Sequence, residues 1–93
     1  MPRNKIPRCI GFEPEVCYFK PRGIPLRSLE EIILMPDEVE AMKLYEVDEL
    51  EQVEAAKKMK ISQPTFARIL SSANKKVSEA LIKGKAIRME KIG

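Results

Sequence analysis

The chain has 93 residues, 44% of them hydrophobic and 33% charged, which fits one small globular domain rather than a disordered or multidomain protein. Its formal net charge of +3 hides an uneven distribution: residues 1–29 carry +4, residues 30–50 carry −7 and residues 51–93 carry +6. No run approaches the roughly 20 apolar residues that span a bilayer, so no membrane association and a cytoplasmic location are expected.

Five of the seven prolines fall within the first 27 residues, a density that forbids a helix. The start, Met1 to Lys5, is basic but has no apolar run behind it, unlike a signal peptide. Residues 1–29 therefore read as a basic extended arm. Within it, Val16 to Phe19 is β-prone, and Lys20 to Pro25 reads as a turn in which Gly23 takes positive φ. Cys9 and Cys17 lack the spacing of a metal knuckle, and two thiolates without histidine do not complete a four-ligand zinc site within one chain unless carboxylates or a second subunit supply the rest. In a cytosolic protein they are expected to be free thiols, with a redox or metal role left open. The run Ile32-Ile33-Leu34 is a second short strand or a helix end, and its length does not decide.

Met35-Pro36-Asp37-Glu38 marks a helix start, with proline in the first turn and two acids complementing the helix dipole. This helix is placed at about 36–46, and Asp48 and Glu49 break its pattern. The next opens at Leu50 or Glu51, with Val53, Ala56 and Met59 as its apolar stripe. After Lys60-Ile61, Ser62 is an N-cap whose hydroxyl accepts from the following turn. Phe66, Ile69, Leu70, Ala73, Val77, Ala80 and Leu81 then fall within roughly 120° of arc at helical spacing. Gly84 stops this helix as a C-cap residue. The tail 85–93 contains Ala86 to Met89, a short strand able to pair with the N-terminal one. The expected fold is mainly α: three to four helices over 36–84 in one domain, with an extended arm and short β pairing.

The segment Gln52–Ser71 has the residues that a helix-turn-helix needs. Ala56 lets the second helix approach, while Met59, Ile61, Phe66 and Ile69 lock the crossing. The left-handed turn position, usually glycine, is Lys60, at a cost on the order of 1 kcal/mol. A lysine beside a phosphate backbone would offset that cost.

Thr65, Arg68, Ser72, Lys75, Lys76 and Glu79 project opposite the apolar stripe. Gln63 and Arg68 suit base edges, since glutamine pairs with adenine and arginine with guanine. Ser62, Ser72, Lys75 and Lys76 suit phosphates. A solvated polar face on a core helix is the plainer explanation, and the two flanking basic segments favour DNA over it.

The chain also resembles domain-of-unknown-function family 134, small prokaryotic proteins predicted to bind DNA. The resemblance is carried by Gly11 to Val16, Tyr18 to Pro21, Gly23 to Leu26, Glu54-Ala55-Ala56, Met59, Ser62, Thr65-Phe66, Arg68 to Leu70 and Gly84 to Ala86. Family members look similar to region 4 of bacterial sigma factors, which implies a helical fold reading promoter-like duplex. Many of them have glycine where Lys60 stands.

These features give sequence-specific double-stranded DNA binding and a transcriptional regulator as the expected function. The alternative is a protein-interaction module docking on the transcription machinery, with RNA polymerase as partner to the acidic 30–50 segment. Homodimerisation is an open expectation, because many helix-turn-helix proteins bind as dimers. With no histidine, no glycine-rich phosphate loop and no nucleophile elbow, an enzyme is not expected, nor is a cofactor.

Overall fold

The computed structural model describes residues 16–90. The first half of the basic arm, Cys9, the Gly11–Glu15 portion of the family resemblance and residues 91–93 lie outside the described residues. The order is β1 (Val16–Phe19), a single 3-10 turn (Leu26–Ser28), β2 (Glu31–Leu34), α1 (Pro36–Met42), α2 (Gln52–Met59), α3 (Gln63–Lys83) and β3 (Ala86–Glu90). A π-helical turn over Lys43–Val47 extends α1, so helical backbone covers the stretch expected at 36–46. Ile32–Leu34 belongs to a strand, which decides that ambiguity.

Each boundary has a local cause. Gly23 takes φ +86° in the turn after β1. Pro36 sits in the first turn of α1, and the Glu38 carboxylate accepts from the Met35 N–H at 2.9 Å. The wider π turn closes with Asp48 N–H donating to the Lys43 carbonyl at 2.8 Å, and it brings the Lys43 ammonium to 2.8 Å from Asp48. Glu49 then enters the left-handed region at φ 61° and turns the chain into α2.

The C-terminus of α2 is closed by Lys60 at φ 62°, ψ 42°. There Lys60 N–H donates to Lys57 and Ile61 N–H to Ala56, both at 3.0 Å. That pair of bonds is a Schellman ending, which satisfies carbonyls left over at the helix end. At Gly84, also left-handed, Lys85 N–H reaches the Ala80 carbonyl at 2.9 Å and Gly84 N–H donates to the same carbonyl.

Ala41, Leu44, Ala55, Ala56, Phe66 and Leu70 form the core between α1, the π turn, α2 and α3. The alanines allow close helix approach, and Phe66, fully buried, fills the centre. The Phe66 ring lies 6.5 Å from that of Tyr45 at a 59° tilt, a favourable edge-inclined arrangement. Leu81 departs from expectation: with Ile82 it is among the most exposed apolar residues, at 74% and 84%. The spacing put Leu81 at the margin of the apolar stripe of α3, and α2 is much shorter than α3. Eight residues span about 12 Å and twenty-one about 31 Å.

The three strands form one sheet in the order β1-β3-β2, with β3 antiparallel to β1 and parallel to β2. The β1–β3 pairing matches the expected tail-to-arm contact. The parallel pairing of β2 with β3 requires the whole helical segment as its crossover. Lys85 fastens this junction, reaching Glu79 at 2.9 Å and Glu30 at 3.1 Å. Cys17, expected as a free thiol, is disulfide-bonded; the expectation rested on compartment alone.

Candidate nucleic-acid interface

The left-handed Lys60 and the Ser62 N-cap set α2 and α3 as two helices joined by a three-residue turn. Ser62 Oγ accepts from Thr65 N–H at 3.3 Å and donates to Thr65 Oγ1 at 2.9 Å. Both hydroxyls thus support the cap. Among the described residues, Arg68 and Lys75 are exposed and form no ion pair. At helical spacing they share the face of α3 opposite Phe66, with the exposed Ser71 between them.

Lys57, Lys58 and Lys60 are exposed around the turn. The sequence offered a signal for the first two, a run of lysines ahead of the turn, yet attention to α3 alone leaves them out of the candidate set.

Ser72 and Lys76 lie on the flank of α3 that meets α1 and β2. Glu38 is nearly fully buried there. Its carboxylate accepts from Ser72 Oγ at 2.6 Å, Lys76 Nζ at 2.8 Å and the Met35 amide. Lys76 also donates to the Ile33 carbonyl at 2.8 Å. Burial pushes the Glu38 carboxyl up, but the bonds from Lys76, Ser72 and Met35, with the Lys76 charge, outweigh it. The group is held below its ordinary value of 4.5. These polar atoms are therefore committed to tying three elements together. Glu79 likewise pairs with Lys85 rather than standing free, and its carboxyl is lowered by that hydrogen bond and charge.

The acidic segment is partly consumed in the same way. Glu30, Glu38 and Asp48 each pair with a lysine. Gln63 lies elsewhere than Arg68. It lines an open depression where the N-terminal ends of α2 and α3 adjoin, together with Gln52, Tyr45, Glu46, Glu49 and Glu51. Arg68 and Lys75 thus share one exposed face of α3, Lys57, Lys58 and Lys60 are exposed at the end of α2 and in the turn, and Gln63 lies in more acidic surroundings. Among the described residues no group of three or more Cys, Asp or Glu is arranged to hold a metal ion, and no helix is long and apolar enough to cross a membrane.

Comparison with known proteins places the chain among close relatives. A protein designated UPF0251 from Caldanaerobacter subterraneus subsp. tengcongensis is 53% identical over 90 residues, covering 97% of this chain and 76% of the relative. UPF0251 proteins from Moorella thermoacetica and Dehalococcoides mccartyi are 52% and 53% identical over the same length, and the aligned part is 60% and 77% of those proteins. The chain thus spans between three-fifths and about three-quarters of these relatives. No solved structure matches it. The model of the family described as "Protein of unknown function DUF134" matches residues 1–92, and the chain belongs to that family.

Proposed function

We propose that the protein binds double-stranded DNA through α2, the Lys60 turn and α3, and acts as a transcriptional regulator. The observation that carries this reading is the set of exposed basic residues Arg68, Lys75, Lys57, Lys58 and Lys60 on a capped two-helix unit with a three-residue turn. Five exposed cations without an ion pair among the described residues, on one two-helix unit, suit a polyanion with regularly spaced charge. A helix with small and polar residues along its outward face, here Ser71 between Arg68 and Lys75, is able to approach a major groove closely. Ser72 and Lys76, engaged by Glu38, are left out of this contact set. Ser62 and Thr65 act mainly by fixing the start of α3.

Fluorescence anisotropy with labelled duplex over a salt series tests the reading. Affinity is expected to fall steeply as salt rises, and Arg68→Ala or Lys75→Ala to weaken binding and make that dependence shallower, Lys75→Ala by about one phosphate contact. Absence of binding by the full chain at low salt would sink the proposal.

A further inference from the structure

The depression lined by Gln63 contains two amide side chains that the basic contacts do not use. Gln52 is the first residue of α2 and Gln63 the first of α3. They come from different helices, eleven positions apart, yet both line the same depression. Gln63 is exposed, Gln52 half-buried, and among the described residues neither amide has a hydrogen-bond partner. The remaining polar lining is acidic: Glu46, Glu49 and Glu51.

We propose that Gln52 and Gln63 act as a pair that reads one adenine, Gln63 touching the base and Gln52 fixing the orientation of the Gln63 amide. The inference rests on the DNA-binding reading. Its chemistry follows from the amide itself. A glutamine pairs with adenine by accepting from N6 and donating to N7. That leaves one N–H of Gln63 free, and the Gln52 amide oxygen, lining the same depression, is the acceptor this scheme assigns to it. Without a second amide, the Gln63 side chain can rotate by half a turn and exchange its oxygen and nitrogen. A freely rotating amide can present two N–H groups in turn to the acceptors O6 and N7 of guanine, so orientation is what separates the two purines.

The acids favour the same base. Carboxylates around the depression repel phosphates and the acceptor-rich guanine edge, and they attract the exocyclic amino group that adenine displays in the major groove. The electrostatics that disfavour a phosphate contact at this spot suit a base contact. Gln52 is a positioning residue in this scheme, and its own NH₂ remains available to a flanking backbone phosphate.

Selection from randomised duplexes, followed by affinity measurements on purine-substituted sites, tests the pair in the full-length chain. The wild type is expected to select adenine at one position and to lose roughly tenfold in affinity when guanine replaces it. Gln63→Ala and Gln52→Ala are both expected to reduce that preference at the same position, with helicity by circular dichroism unchanged. Gln52→Glu keeps the acceptor and removes the donor, so it should retain the adenine preference while binding all duplexes more weakly. Arg68→Ala should weaken binding with the adenine preference intact. If Gln52→Ala leaves the preference at the Gln63-dependent position unchanged, the pairing is overturned while DNA binding stands. If the wild type binds duplex but shows no adenine-dependent position, the base-reading role fails. If it binds no duplex, both proposals fall together.

Discussion

Lys60 holds a backbone conformation that costs an L-residue on the order of 1 kcal/mol, because its Cβ crowds the following carbonyl. Its amide and that of Ile61 satisfy two carbonyls of α2, and its side chain is exposed beside Lys57 and Lys58. Glycine would remove the strain but enlarge the freedom of the unfolded chain. Lys60→Gly is therefore expected to stabilise the fold by about 0.5 kcal/mol, measured by urea denaturation, while reducing duplex affinity and lowering the salt slope by about one. Opposite signs in the two measurements would show that the position trades conformation for contact; equal affinity would remove Lys60 from the interface. The conformation at Lys60 was legible in the sequence, since an apolar stripe, an interruption and an N-cap leave only that residue to make the turn. The similar φ of Glu49 was not, because nothing in Asp48-Glu49 distinguishes a left-handed residue from an ordinary loop.

At the level of the elements, α3 is held by a carboxylate. Glu38 starts α1 by accepting the Met35 amide and also receives Ser72 and Lys76 from α3. The periodicity of α3 marks Ser72 and Lys76 as polar, and on that basis they join the candidate DNA contacts. What spacing cannot convey is that an acidic residue thirty-odd positions earlier is folded underneath them. With its carboxyl held below 4.5 by these partners, Glu38 contributes stability that is fully present above that pH. The contribution is lost as pH falls through the lowered folded value. Glu38→Gln is expected to cost about 2 kcal/mol at neutral pH, below the usual penalty for breaking a buried pair because Lys76 can rehydrate. The difference between wild type and variant should shrink as unfolding is measured at progressively lower pH below 4.5. A gap constant with pH would mean that Glu38 acts by shape rather than charge.

Across the whole molecule, a local helical unit is closed by a non-local sheet. The helices, their caps and the core stripe could be read because each depends on residues within a few turns. The β1–β3 pairing was accessible from β-prone runs near both ends. Its parallel partner β2 was not, since a parallel register is set by how the intervening helices pack rather than by any short motif. Because β3 lies between β1 and β2, it is the common partner of both. Ending the chain after Gly84 should strip amide-exchange protection from 16–19 and 31–34, and lower the thermal midpoint by removing Ala86 and the Lys85 bridge. Retained protection at β2 would show that it is held by α3 alone.

The central place of β3 has a consequence for synthesis. A ribosome makes β1 and β2 first, and at about 5–20 residues per second it needs roughly 3–10 s after completing β2 to produce β3. During that interval both strands carry unpaired backbone edges that other nascent chains could capture. Glu31 at the start of β2 and Pro36 just beyond its end flank the apolar Ile32-Ile33-Leu34 run, and a charge and a proline in those places discourage capture.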